Sequence, residues 1–398
     1  MKPITNKDKI NQVLTRRVDK IYPSKKDLEK VLLSGKKIRL YLGIDPTATK
    51  LHLGHTVQLR KLQEFADLGH EAILLFGTGT VLVGDPSLRE TARKLITEKE
   101  IQKNIVTWKE QVKPIINFNK IKIMYNSDWL LKLTLKDLIN IGSKVSAIQL
   151  FKRENFTRRI KKGDTVWYHE TMYPLLQGYD SVAMNVDLEI GGTDQTFNML
   201  IGRELLWKMR QKKKYVLTSR MAVGTDGKTM SKTSGNCIWL TDSAQDMYGK
   251  IMKLQDNLIP NYFEFFTKRP LNEIVEIRNK IKNGQENPMA LKKSLALQIT
   301  ADFRGQKKAL EAQSEFEKVY QKRGVPSKIP SFSLHKSKDK TLVDLLIATH
   351  FCSSRSDAKR LINQGGVEVD GKKIQNPQQK VSTGQILKIG KKDFLKIS

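Results

Sequence analysis

Cysteine is nearly missing from this chain of 398 residues, which has only Cys237 and Cys352. Two thiols cannot build a disulfide framework, and neither has a Cys-x-x-Cys partner. The expected compartment is therefore a reducing cytoplasm. Histidine is scarce too, with six residues, and no run of 18 apolar residues occurs. Met1 to Lys20 is polar and charged, without the apolar stretch of a signal peptide, so a soluble protein with no membrane partner is expected. Acidic residues are in deficit: 41 Asp+Glu face 71 Lys+Arg, a formal charge of +30. Such a field gathers polyanions and speeds their encounter, which makes nucleic acid the expected partner. The competing reading is a composition biased toward Lys, Ile and Asn, under which part of the charge is ordinary solvated surface. The cluster Lys208, Arg210, Lys212, Lys213 and Lys214 fits either a phosphate contact or a solvated loop.

Two short stretches carry more information. Ile38 to Ile44 is an apolar run with the character of a buried parallel strand, and Asp45-Pro46-Thr47-Ala48-Thr49-Lys50-Leu51-His52-Leu53-Gly54-His55 follows it. The pattern then predicts a helix from about Leu53 to Leu68, with Val57, Leu62, Phe65 and Ala66 inward and Gly69 as its stop. A strand, a tight turn and a helix start aim free backbone N–H groups and the positive end of the helix dipole at an anion. His52 and His55 would stand beside the phosphates as donors. Far along the chain, Gly227-Lys228-Thr229-Met230-Ser231-Lys232-Thr233 is a polar loop with two lysines, suited to holding a triphosphate as charge develops at its α-phosphorus. Together these stretches read as an ATP site. Two histidines three apart also suit zinc, but no cysteine lies nearby, and no metal ligands are expected.

His52-Leu53-Gly54-His55 and Thr229-Met230-Ser231-Lys232-Thr233 resemble the HIGH and KMSKS signatures of class I aminoacyl-tRNA synthetases. Tyr41 to Thr47, Gly84-Asp85-Pro86-Ser87, Tyr173 to Asp180 and Gly191-Gly192-Thr193-Asp194-Gln195 narrow the resemblance to the bacterial tyrosyl-tRNA synthetases. These blocks follow one another in family order between residues 41 and 233. The resemblance implies activation of tyrosine by ATP with Mg²⁺ and transfer to tRNA(Tyr), with no protein-bound prosthetic group. It implies catalytic roles for Thr47, His52, His55, Lys228, Lys232 and Thr233. Tyrosine would be bound by Tyr41, Asp85, Tyr173, Gln177, Asp180 and Gln195, and ATP by Asp45, Gly54, Gly192, Asp194 and Lys232. Tyr41 and Asp180 would meet at the phenolic hydroxyl, while Asp85 would supply the countercharge of the α-ammonium. The loop departs from the family pattern: Thr229 stands in place of the first lysine and Thr233 in place of the last serine. Lys228, one position earlier, is a substitute whose side chain would point elsewhere. Two alternatives stay open, a tryptophanyl relative sharing the fold and a nonenzymatic RNA-binding protein on the same scaffold.

The organisation expected is a helical arm over residues 1–35, then a Rossmann-like doubly wound parallel sheet over 36–215 with a helical insertion near 101–171. The insertion includes a helix from Leu133 to Gln149 and, by resemblance, the contacts of a homodimer. The signature loop and a helical anticodon-side domain would fill 216–325, and 326–340 would be a linker. In the tail, 341–398, Ser354 to Asp357 resembles a capping box opening a helix, and Val367-Glu368-Val369, Asp370-Gly371 and Lys372-Lys373-Ile374 a tight hairpin. That pattern resembles the alpha-L RNA-binding motif, with Arg355, Lys359 and Arg360 facing RNA. The tail holds ten basic residues against five acidic ones.

Overall fold

The computed structural model describes residues 2–86, 96–230, 235–321, 325, 329–334, 341–390 and 393–398. The chain divides into two compact units, Met1–Leu310 and Glu311–Ser398.

The first unit begins with α1 (Lys7–Thr15), β1 (Val18–Tyr22), α2 (Lys25–Leu33), β2 (Arg39–Ile44), α3 (Thr56–Asp67), β3 (Glu71–Phe76), α4 (Thr80–Val83), α5 (Glu98–Val112) and β4 (Ile121–Tyr125). Then come α6 (Ser127–Leu130), α7 (Leu135–Gly142), α8 (Ala147–Phe151), α9 (Glu154–Lys161), α10 (Tyr168–Met184), β5 (Leu188–Gly192), α11 (Thr196–Arg210) and β6 (Tyr215–Ser219). Helices α12 (Ala244–Met252), α13 (Ile259–Phe266), α14 (Leu271–Lys282) and α15 (Pro288–Arg304) follow, and α16 (Gln306–Phe316) leads on into the second unit.

The sheet order is β1-β6-β5-β2-β3-β4, with every neighbouring pair parallel except β1 and β6. Strands β2 and β3 are continuous apolar runs because helices cover both faces of a parallel sheet. Leu40, Leu42, Ile73 and Leu75 are accordingly buried. The strand order reverses around β2 and β5, and ligands of such sheets lie outside the carboxyl ends at that crevice.

Three local expectations change. The arm is not wholly helical, since Val18–Tyr22 forms the antiparallel edge strand β1 against Tyr22↔Val216 and its neighbours. The helix expected over Leu133–Gln149 is two helices, because α7 ends at Ser143 and the chain restarts at Ser146. The helix after the first signature opens with a turn of 3₁₀ helix, Leu53–His55, before α3 proper. Its end is as expected: Gly69 has φ +90°, a conformation that favours glycine.

In the second unit, α17 (Leu342–Ala348) and α18 (Arg355–Asn363) pack on a small sheet. Its strands are β7 (Ser331–Phe332), β8 (Val367–Val369), β9 (Lys372–Lys373), β10 (Ile386–Ile389) and β11 (Asp393–Ile397), in the order β7-β11-β10-β8-β9. Leu342, Leu346, Ala358, Ile362, Val367 and Leu387 form a core of its own. Ser354 caps α18 by accepting from the Asp357 N–H at 3.1 Å. Asp370 and Gly371 both take positive φ, 49° and 80°, as a primed two-residue hairpin requires. The stretch expected as a linker, 326–340, lies partly outside the described residues, and Ser331–Phe332 within it pairs with β11.

Candidate active site

A cavity of about 370 Å³ opens at the carboxyl ends of β2 and β5. Tyr41, Asp45, Thr47, His52, Gly54 and His55 line it from β2 and the turn that follows. Asp85 lines it from the end of α4, Tyr173, Gln177 and Asp180 from α10, and Gly192, Asp194 and Gln195 from the end of β5. The geometry thus collects residues that lie up to about 150 positions apart in the chain. Lys228 is exposed and is not among the lining residues; its neighbours Thr229 and Met230 are. Lys232 and Thr233 lie outside the described residues.

The turn after β2 is held from outside by one face of α5. Asn104 donates to the Pro46 carbonyl at 2.8 Å, and the Trp108 indole N–H donates to the Ala48 carbonyl. Gln111 donates to the Thr49 carbonyl at 2.7 Å and accepts from the Leu51 N–H at 2.9 Å. Residues 104, 108 and 111 share a helix face by the i, i+4, i+7 rule. Sequence reading passed over them because a polar stripe on a helix ordinarily faces water.

From the other side, the turn is stitched to the chain that follows the second signature. The Leu53 N–H donates to the Ile238 carbonyl at 2.8 Å and the Leu240 N–H to the Leu51 carbonyl at 2.9 Å. The His52 and His55 rings lie with centroids 3.8 Å apart. Gly54 keeps this turn tight, because a Cβ there would stand 3.0 Å from the His52 ring.

Asp45 is anchored at both oxygens, accepting from the Thr80 hydroxyl at 2.8 Å and from the Tyr173 hydroxyl at 3.0 Å. Burial pushes the Tyr173 phenol well above its ordinary value, and the Asp45 charge adds to this. Asp85 accepts from Gln195 Nε2 at 2.8 Å and lies 3.6 Å from the Arg153 guanidinium, which is buried against Phe156 and Phe197. Gln195 Nε2 also donates to Asp194 at 3.0 Å. Burial raises the Asp194 carboxyl above its ordinary range. Gly192 has ordinary backbone angles, so its small size is what matters: a Cβ there would fall 2.3 Å from Asp194 Oδ1.

At the inner end of the cavity, Asp180 accepts from Asn126 Nδ2 at 3.1 Å and from the Trp129 indole at 2.8 Å. Burial pushes its carboxyl well above the usual range, against those two donors. Tyr41 is buried beside it and shares a hydrogen bond of 3.0 Å with the Ser181 hydroxyl. Burial likewise drives the Tyr41 phenol upward, with Glu189 and Asp180 adding to it.

Glu189 and Lys214 were not foreseen. Lys214 is neither the phosphate contact nor the solvated loop residue expected of its basic cluster, because it is buried and ion-paired with Glu189. Gly202 makes the room, since a Cβ there would meet Lys214 Nζ at 2.7 Å. The rest of that cluster includes exposed Lys208, paired with Glu204 at 2.5 Å, and Lys212, 3.0 Å from Asp187. In the second unit Arg355 and Arg360 are exposed but paired with Asp344 and Asp357. Lys359 is exposed.

A cavity at the crevice of a doubly wound sheet, walled by a His-x-x-His turn and by the chain flanking a lysine loop, defines a class of nucleotide-dependent enzyme. Residues 33–321 match the family described as tRNA synthetases class I (W and Y), and residues 341–387 match the S4 domain. The chain belongs to that class I synthetase family.

Its full-length relatives include the tyrosine–tRNA ligase of Thermotoga maritima, 40% identical over 390 residues that cover 97% of this chain and 96% of that one. The tyrosine–tRNA ligase of Dehalococcoides mccartyi is 38% identical, covering 98% of each. Among solved structures, a C-terminally truncated mitochondrial tyrosyl-tRNA synthetase of Aspergillus nidulans shares the fold with a TM-score of 0.64 at 17% identity, covering 79% of this chain and 98% of that one. The Archaeoglobus fulgidus tyrosyl-tRNA synthetase complexed with L-tyrosine gives 0.61 at 20% identity, covering 77% and 100%.

Proposed function

We propose that the chain is a tyrosine–tRNA ligase. A tyrosine carboxylate oxygen attacks the α-phosphorus of ATP, the bond to the β-phosphate breaks, and pyrophosphate leaves. The tyrosyl group then passes to the 3′-terminal ribose of tRNA(Tyr). The observation that carries this reading is the convergence of Tyr41 and Asp180 at the inner end of the same cavity that His52 and His55 flank.

A tyrosine hydroxyl there donates to the Asp180 carboxylate and accepts from the Tyr41 phenol. A phenylalanine ring would take both of those hydrogen bonds away from two buried groups, leaving Asp180 only Asn126 and Trp129, and Tyr41 only Ser181, among the described residues. At the ammonium end Asp85 supplies negative charge, with Tyr173 beside it. Gln177 donates to Glu189 at 3.2 Å, which leaves its Oε1, without a partner among the described residues, to accept from the ammonium. Gln195 stands near the carboxylate, Asp194 takes the ribose hydroxyls, and Asp45 fixes the turn.

The attacking carboxylate is already a nucleophile, so catalysis is alignment and stabilisation of charge moving onto pyrophosphate. Thr47, His52 and His55 serve from one side, and Lys232 and Thr233 from the other. Lys228, the substitute for the missing first lysine of the loop, serves the outer phosphates. Mg²⁺ bound to the triphosphate would share that stabilisation of charge. Among the described residues no group of three His, Cys, Asp or Glu could hold a metal by itself.

The second unit holds tRNA through Arg355, Lys359 and Arg360. A homodimer forms through the insertion, where Leu131, Leu135, Ile139, Ile148, Trp167 and Tyr168 are between 55% and 81% exposed, a density of apolar surface that marks an interface. Among the described residues no helix is long and apolar enough to cross a membrane, and the enzyme works in the cytoplasm.

Exchange of labelled pyrophosphate into ATP tests the reading. Tyrosine should support exchange without tRNA, exchange with tryptophan alone would favour the tryptophanyl alternative, and none with either would favour a nonenzymatic scaffold. Sedimentation tests the dimer: Ile139→Asp should shift the chain to a monomer.

A further inference from the structure

Behind the cavity, three buried polar groups that no sequence signature contains, Lys214, Glu189 and Ser181, lead to Tyr41. Lys214, just ahead of β6, has its ammonium buried between α10, α11 and β5. It pairs with Glu189 and donates to the Ser181 hydroxyl oxygen at 2.8 Å. Ser181 in turn lies 3.0 Å from the Tyr41 hydroxyl and 3.5 Å from Glu189 Oε2. The charged groups around Lys214 are Glu189, Asp180 and Arg203, whose Nε donates to the Lys214 carbonyl at 3.0 Å.

Proton bookkeeping gives this chain a direction. A hydroxyl has one proton to donate, so a Ser181 oxygen that accepts from Lys214 spends its own proton on the nearer acceptor. We assign that acceptor as Tyr41, at 3.0 Å, because Glu189 Oε2 lies farther off, at 3.5 Å, and already accepts from the Lys214 ammonium. Tyr41, accepting from Ser181, keeps its proton for the cavity. Hydrogen bonds aligned head to tail also polarise one another. With Lys214 gone, Ser181 and Glu189 would both lack that donor, and the Tyr41 proton would turn inward to them.

We propose that Lys214 is a positioning residue for substrate selection: through Ser181 it makes Tyr41 present its proton to the phenolic oxygen of the amino acid. This deepens the proposed function and rests on the placement of tyrosine's phenol at Tyr41 and Asp180. Glu189 is the counter-ion that lets the ammonium be buried there, and it also orients Gln177 at the other end of the substrate. The one pair therefore braces both ends of the amino-acid pocket.

The test is pyrophosphate exchange with tyrosine and with phenylalanine for the full chain and for Lys214→Met, Ser181→Ala and the double variant. Ser181→Ala leaves the ion pair intact and cuts only the relay, so it serves if Lys214→Met fails to fold. Loss of one hydrogen bond donated to a buried phenol is expected to raise the tyrosine KM about tenfold in each single variant. The ATP KM should stay within about twofold, and the tyrosine-to-phenylalanine ratio in kcat/KM should fall by about the same tenfold. The double variant should be no worse than the worse single one, because both cut one relay. An unchanged ratio in Ser181→Ala, or tyrosine and ATP KM values that rise together, would overturn the inference while leaving the ligase reading intact. A native chain without tyrosine-dependent exchange would bring down the ligase reading itself.

Discussion

His52 and Trp239 face each other across an isolated antiparallel bridge, with ring centroids 6.1 Å apart. One belongs to the first signature turn, and the other follows the second signature loop after five intervening residues, Ser234 to Ile238. The two signatures are thus parts of one backbone unit, and the position of the histidines depends on the segment that anchors the lysine loop.

Removing the Trp239 ring should loosen that unit. For Trp239→Ala we expect kcat for tyrosine activation to fall about tenfold with the tyrosine KM little changed, since alignment at the phosphates is lost and the amino-acid pocket is not. Exchange kinetics at saturating ATP measure both. Equal losses in kcat and tyrosine binding would mean that the bridge supports the whole domain and not the turn.

Gly192→Ala places a Cβ 2.3 Å from Asp194 Oδ1 and 3.0 Å from the Met221 sulfur. Asp194 must move, so the ATP KM should rise about tenfold or more, well beyond any change in the tyrosine KM. Titration of each substrate with the other saturating separates the two.

Both ring nitrogens of buried His70 lack a hydrogen-bond partner among the described residues. Burial, with Lys37 nearby, lowers its pKa from 6.5 to about 4. The folded state therefore resists a proton that the unfolded chain takes up below about pH 6.5, and stability falls with pH between 6.5 and 4. His70→Phe removes that proton uptake. Its melting temperature should decline less steeply over that window than the native protein's, and parallel curves would assign the acid sensitivity to other groups.

The second unit has its own core and holds none of the cavity's residues. Deleting residues 341–398 should leave adenylate formation largely intact and weaken tRNA binding. Arg355 and Arg360 must trade Asp344 and Asp357 for phosphate, whereas Lys359 has no ion pair among the described residues to give up. For Lys359→Ala, the slope of log affinity against log salt should flatten by about 0.7 to 0.9. A filter-binding series from low to moderate salt reads the slope, and an unchanged slope would remove Lys359 from the RNA contact.

Much of the cavity's lining could be named from the sequence because the ordered motifs of the family resemblance contain it, whereas any one of these residues alone reads equally well as a cap, a loop or a surface group. Asp45, His52, Gly54, His55 and Asp194 occupy positions that a tight turn or a helix start defines. The arm's strand β1 was harder to see: Val18-Asp19-Lys20-Ile21-Tyr22 is a polar edge with Ile21 its one buried side chain, so alternation is weak. Lys214 could not be read at all. Its neighbours Lys212 and Lys213 are exposed or half-buried, and only the approach of Gly178 to Gly202 creates the space that takes one lysine inside. Asn126 and Trp129 were hidden for a related reason, because their partner Asp180 lies more than fifty residues away in the chain.

The central claim is that one cavity holds tyrosine with its phenol at Tyr41 and Asp180 and its adenylate beneath His52 and His55. A crystal structure of the full chain with a non-hydrolysable tyrosyl-adenylate analogue tests it directly. The account expects the phenolic oxygen within hydrogen-bond distance of both Tyr41 and Asp180, the ammonium against Asp85 and Gln177, and the ribose on Asp194. An analogue bound with its phenol away from Tyr41 and Asp180, or outside this cavity, would contradict it.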